Sequence, residues 1–267
     1  MKKVIKVIAA QPTSDGAGVN LFRSLGTHLL PDANPFLMLD EIRSDEAKDY
    51  LAGFPSHPHR GFETVTIMLT GSMRHKDSRG NEGVIEPGGV QWMTAGSGII
   101  HSEMPEQEQG RLWGFQLWVN LPAQHKMMAP RYQDIRASEI PSLKLGNSTV
   151  RVMAGQQQGI TGPIIDIVSK PQLLDAQVRG DISLVLPKRA LVYVYEGYVT
   201  VGDKRIDAQH LALLTEEQTL VLGGQGNAMI FAAEPLNEPI ARHGPFVMNS
   251  REELYEAFED YQHGRLG

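Results

Sequence analysis

Short apolar segments that alternate with polar positions set the character of this chain. Thr64-Val65-Thr66-Ile67-Met68-Leu69 and Gly114-Phe115-Gln116-Leu117-Trp118-Val119 are two of them, and Leu191-Val192-Tyr193-Val194-Tyr195 and Met229-Ile230-Phe231-Ala232 follow later. They are rich in β-branched and aromatic residues and bounded by turn formers, which predicts strands. Turns come from Thr70-Gly71-Ser72, Arg79-Gly80-Asn81, Pro87-Gly88-Gly89 and Gly223-Gly224-Gln225-Gly226. Many short strands with frequent turns predict an all-β sandwich or barrel rather than alternating βα units. One helix is predicted at the end. Ser250-Arg251-Glu252-Glu253 is a capping box, and Leu254, Phe258 and Tyr261 fall at helical spacing on one face.

The strand pattern repeats weakly. Glu63-Thr-Val-Thr-Ile-Met-Leu-Thr-Gly71 and Ala190-Leu-Val-Tyr-Val-Tyr-Glu-Gly197 each end an apolar strand in a glycine turn, and each is followed by a second hydrophobic stretch leading to glycines. This predicts a duplicated unit, with domains at 1–135 and 136–267 and a connection around 130–150, where Pro130 and Pro141 lie. At the start, Lys2 and Lys3 precede a short apolar run, but Lys6 interrupts it; the segment reads as a first strand rather than a targeting peptide. No stretch is long enough to span a bilayer, so a soluble cytoplasmic protein is expected.

Composition narrows the chemistry. The 267 residues contain no cysteine, which removes disulfides, thiolate ligands and cysteine nucleophiles. A formal net charge of −6 without a basic run argues against direct nucleic-acid binding. Any metal must therefore be held by imidazole, carboxylate or backbone oxygen. His57-Pro58-His59 and His101-Ser102-Glu103 offer such ligands. In an extended chain, residues i and i+2 project to one face, so each segment presents two ligands together. His57, His59, His101 and Glu103 around one divalent ion would leave two octahedral positions open, which suits a catalytic ion. Imidazole and carboxylate admit Fe, Mn, Co, Ni, Cu and Zn alike. By strand parity Glu63 is a candidate hydrogen-bond partner for a ligand imidazole. Val65, Ile67, Met93 and Trp118 are candidates for an apolar wall, and Gln116 for a cavity-facing side chain. His75, His125, His210 and His243 follow no ligand spacing.

The stretch HPHRGFETVTIMLTGSMRHKDSRGNEGVIEPGGVQWMTAGSGIIHSEM, with LWGFQLWVNLPAQHKMMAPRY at 112–132 and Gly244-Pro245-Phe246-Val247-Met248-Asn249 near the end, resembles the pirin family of the cupin superfamily. Residues 140–240 match it only loosely. The resemblance implies two stacked cupin (double-stranded β-helix, jelly-roll) barrels with a short C-terminal helix. It implies one metal, usually Fe(II), in the first barrel, and the family's ligand pattern falls on His57, His59, His101 and Glu103. It further implies a monomer with quercetin 2,3-dioxygenase-like activity, using a small aromatic substrate and O2, with Glu103 as ligand and general base. A metal- and redox-dependent regulatory protein that binds a transcription factor or a metabolic enzyme is the alternative the family allows. A cupin acting on another small metabolite is a third.

Overall fold

A computed structural model describes residues 1–266. Its regular structure is mostly antiparallel strands, with one α-helix, Arg251–Gln262. Each predicted strand forms and extends past the apolar stretch that announced it: Phe62–Thr70, Leu112–Asn120, Arg189–Val201 and Thr219–Ala233. The Ser250 side chain accepts from the Glu253 N–H while the Glu253 carboxylate accepts from the Ser250 N–H, so the capping box is made. Leu254 and Ala257 of this helix are buried with Phe246 and Met248, and Phe258 packs at the edge of that cluster. Tyr261 is exposed, because the helix buries a narrower stripe than its apolar spacing suggested. Among the described residues no helix is long and apolar enough to cross a membrane.

The chain divides into two compact units, and neither is continuous in sequence. One comprises 12–23, 36–137 and 236–267; the other comprises 1–11, 24–35 and 138–235. The predicted limits of 1–135 and 136–267 are corrected at both ends of the chain. The Val4–Ala9 strand pairs antiparallel with His210–Leu214, so the N-terminus belongs to the unit formed mostly by later residues. The terminal helix belongs to the unit formed mostly by earlier ones. Backbone pairing across two hundred residues leaves no local signal in the sequence.

The unit containing 138–235 is filled by Val, Leu, Ile and Ala side chains such as Val152, Leu174, Val192, Leu214 and Ile230. The other unit differs. Its seven-stranded sheet places Phe62–Thr70 between Val90–Thr94 and Leu112–Asn120, with Phe36–Ser44 and Val19–Leu25 beyond. The register sets Thr66 opposite Gln91 and Gln116, and Gln116 opposite Asp40. A row of polar side chains therefore crosses one face of this sheet, with Thr66, Gln91 and Asp40 buried and Gln116 half-buried. A four-stranded sheet, ordered Phe54–His59, Ile99–Pro105, Met73–Asp77 and Glu82–Ile85, completes the barrel.

Lys126 ties this unit to its C-terminal segment. Its Nζ is buried and donates to the carbonyl oxygens of Gly61 (2.7 Å) and Val247 (2.9 Å) and to Asn120 Oδ1 (2.7 Å). Burial pushes the amine down to about 8, which still leaves an ammonium at neutral pH with three donors for three acceptors. Lys126→Met would leave those acceptors buried and unpaired, at about 1–3 kcal/mol for each group that finds no substitute. A loss of about 3–5 kcal/mol in unfolding free energy is expected. Denaturant titration reads it directly, and a loss below about 1 kcal/mol would show that the tie is dispensable.

Candidate metal centre

His57 and His59 lie on the edge strand Phe54–His59. An edge position tolerates Pro55 and Pro58, which cannot donate to a ladder on both sides. The strand pairs with Ile99–Pro105 so that His101 stands opposite His57. A register shift between His101 and Glu103 kinks the pairing at the ligand-bearing segment, a common device for aiming side chains. The imidazoles of His57 and His59 have ring centroids 4.6 Å apart, and His101 lies 4.5 Å from the first and 5.1 Å from the second. One ring nitrogen from each of the three falls within 4.8 Å of the others, the one group of its kind among the described residues.

The hydrogen bonds of these rings fix what they can hold. His57 Nδ1 faces the Pro55 carbonyl at 2.8 Å, and His59 Nδ1 faces the Pro245 carbonyl at 3.4 Å. A carbonyl accepts, so both Nδ1 atoms carry the proton and both Nε2 atoms carry lone pairs. Those Nε2 atoms are 3.0 Å apart. Two lone pairs at that distance repel unless a cation lies between them. Two nitrogens bonded at about 2.1 Å and at right angles on one ion would stand about 3.0 Å apart. Both nitrogens of His101 are buried without a hydrogen-bond partner among the described residues. Burial holds His59 and His101 well below the ordinary imidazole value, keeping them in the neutral form that ligates. The donor set therefore fits a divalent transition metal.

Glu103 borders the same space but is engaged differently. Its Oε1 lies 3.0 Å from the Thr66 hydroxyl, and its Oε2 accepts from Gln116 Nε2 at 3.4 Å. Thr66 also lies 2.7 Å from Gln116 Oε1, and its single proton serves one acceptor at a time. Burial raises the Glu103 carboxyl, against the attraction of His57 and the hydrogen bond from Thr66. The structure thus gathers three of the four predicted ligands into one group and sets the fourth beside it, at the wall of a cavity of about 690 Å³. Trp118 and Gln116 line that cavity, as the sequence suggested. Val65, Ile67 and Met93 do not; they are core residues.

The role expected of Glu63 is corrected. Parity with His59 is lost at Gly61, where φ is +87° and a Cβ would fall 2.0 Å from the Val247 carbonyl oxygen. After that turn Glu63 points to the opposite face of its strand and accepts from the Thr94 hydroxyl at 2.7 Å. Sequence reasoning missed the polar wall formed by Asp15, Arg23, Asp40 and Arg242, which no local motif announces. It also passed over His75, which is buried and stands opposite Glu103 in the strand pairing, with its ring stacked on Tyr132.

Two predictions arise. Chelator-treated protein titrated with Mn(II) or Zn(II) should take up one ion per chain, and His57→Ala, His59→Ala or His101→Ala should each weaken uptake by about 100-fold or more. Two tight ions per chain would overturn the single-ion expectation, and full affinity in His101→Ala would remove this centre. The second concerns Glu63, which burial raises from 4.5 to about 7 against Thr94, Trp92 and Arg131. The folded value lies above the unfolded one, so its contribution is full below pH 4.5 and is lost as pH rises through about 7. Glu63→Gln should flatten the stability profile between about pH 5 and pH 8 by on the order of 3 kcal/mol. Parallel profiles for the two proteins would show that Glu63 does not titrate in that window.

Comparison with known proteins places the chain. Residues 18–119 match the Pirin family model, and residues 173–267 match the Pirin C-terminal cupin domain. A pirin-like protein of Caulobacter vibrioides is 49% identical over 100% of this chain and 99% of its own length. Pirin of Homo sapiens is 36% identical over 100% of this chain and 94% of its own. A crystal structure of quercetin 2,3-dioxygenase from Acinetobacter baumannii superposes with a TM-score of 0.92 at 36% identity, covering 100% of this chain and 99% of that one. With both family models matched and these relatives aligned end to end, the chain belongs to the pirin family and is built of cupin-type domains.

Proposed function

We propose that this protein is a metal-dependent dioxygenase that opens quercetin-type flavonols with O2. The observation that carries the reading is the pair of Nε2 lone pairs held 3.0 Å apart beside a cavity large enough for a flat aromatic molecule. The Acinetobacter protein that aligns over this whole chain bears the same activity in its name. His57, His59, His101 and Glu103 would hold the ion, with Fe(II) the first candidate and Mn, Co, Ni, Cu or Zn as alternatives. When bound, the ion supplies Lewis acidity toward the flavonol oxygens and a place for O2 to meet the ring.

The chain's own residues have separate tasks. Phe54, Trp118 and Pro245 give the cavity apolar surfaces against which an aromatic ring stacks. Glu103 takes the proton of the flavonol 3-hydroxyl. A carboxylate suffices there, because a phenolic hydroxyl beside a divalent ion has a lowered pKa and needs only a modest base. Thr66 and Gln116 hold the carboxylate in place, and Thr66 can release Glu103 in favour of Gln116 when a proton arrives.

Protein loaded separately with each metal and mixed with quercetin in air should lose the flavonol absorbance band in an O2-dependent manner with at least one of them. No turnover with any would overturn the activity. Glu103→Gln should lower kcat by about 100-fold or more, in keeping with loss of a general base. An unchanged kcat at equal metal content would remove Glu103 from that role.

A further inference from the structure

The cavity wall facing the histidines carries a polar cluster that the proposed chemistry does not use. Arg23, on Val19–Leu25, donates from Nε to Asp40 Oδ1 (2.7 Å) and from Nη2 to Asp40 Oδ2 (2.6 Å). The same Nη2 donates to Asp15 Oδ2 at 2.7 Å. Asp40 is buried, and Asp15 is about half exposed. Two carboxylates thus clamp one guanidinium from two sides, which fixes a long side chain that would otherwise be mobile. The fork is not used up. Nη1 carries two N–H donors and has no partner among the described residues, and Arg23 lines the cavity. A preorganised donor pair at a ligand cavity costs little to engage, because its ordering is already complete.

The surroundings define the atom that would dock there. A carboxylate would bring only acceptors beside Asp15 and Asp40. A hydroxyl can accept from Nη1 and donate to the Asp15 carboxylate at once. Arg242 lies on the same wall, stacked 4.7 Å over Trp118 and donating to the Leu37 carbonyl, and it offsets part of the negative excess. Trp118 in turn meets His59 edge to face at 5.2 Å. An aromatic plate bound to the metal and passing Trp118 therefore has Arg23 within the cavity it must fill.

Resting on the reading of this cavity as a substrate site, the geometry points to Arg23, clamped by Asp40 and Asp15, as a specificity-determining residue that binds a neutral phenolic hydroxyl on the substrate ring remote from the metal-binding oxygens. The substrate class is then a flat aromatic with oxygen at both ends, not an aromatic acid and not an unsubstituted ring.

The test compares kaempferol, which has one outer-ring hydroxyl, with galangin, which has none. Both carry the same 3-hydroxy-4-keto group, and a single hydroxyl cannot chelate. Calorimetric titration of the zinc-loaded full chain should show kaempferol binding about tenfold more tightly. Arg23→Lys keeps a cation against Asp40 but removes the fork and Nη1. It should narrow the preference to about threefold or less while leaving galangin affinity within about twofold. Asp15→Asn changes an exposed carboxylate and keeps the test open should Arg23→Lys fold poorly; it should narrow the preference too. Equal binding of the two flavonols by the native protein, no binding of either, or a preference that survives in the folded variants overturns the assignment. Absence of O2-dependent turnover in the iron-loaded protein, with the tenfold preference intact, would sink the dioxygenase reading and leave this one standing.

Discussion

Everything at the candidate metal centre depends on which nitrogen of two imidazoles holds the proton. The Pro55 and Pro245 carbonyls accept from Nδ1–H of His57 and His59, and so turn two lone pairs toward each other. Left alone, that arrangement is repulsive; with a divalent ion it becomes a binding site. One of the two carbonyls is local, two residues from its histidine. The other arrives from 186 residues away, on the segment that precedes the terminal helix. That segment is itself held by backbone pairing of Arg60 with Phe246 and by the ammonium of Lys126 on the Val247 carbonyl. Arg60 adds an ion pair to Asp260 of the helix at 2.9 Å. The end of the chain is thus part of the site's construction, because it sets a tautomer.

What the sequence discloses follows from the range of the interactions involved. Spacing of two in an extended chain is a local matter, so His57 with His59 and His101 with Glu103 were legible as pairs. The capping box at Ser250 was legible for the same reason. Glu63 was misplaced because parity was carried across Gly61, and one residue of positive φ reverses the face on which all later side chains fall. The domain limits were misplaced because the Val4–Ala9 strand finds its partner at His210–Leu214. The Arg23 clamp lay beyond reach altogether. It exists because Val19–Leu25 and Phe36–Ser44 are sheet neighbours, and no motif marks Arg23 or Asp40 in isolation.

The two units solve the interior of a barrel in opposite ways. In one, Val152, Leu174, Val192 and Ile230 close the interior with apolar packing, and each such side chain gains from leaving water. In the other, Thr66, Gln91, Gln116 and Asp40 form a polar row across neighbouring strands, beside an apolar cluster that includes Ile42 and Met68. Polar groups there are tolerated only when paired, and they are: Gln91 with Asp134, Gln116 with Glu103, Asp40 with Arg23.

That pairing is what makes a polar cavity stable enough to exist. An unpaired Asp40 or Glu103 would be a buried carboxyl with no partner, which costs free energy whether it stays charged or takes up a proton. The same hydrogen bonds that satisfy burial also fix direction, since an amide or a guanidinium offers its donors in one plane. Thr66 and Gln116 therefore fix the direction of Glu103, and Asp40 and Asp15 that of Arg23, with Gln116 and Asp40 paired as neighbours on one sheet. Satisfying buried polar groups and fixing the direction of cavity-facing ones are one requirement in this barrel.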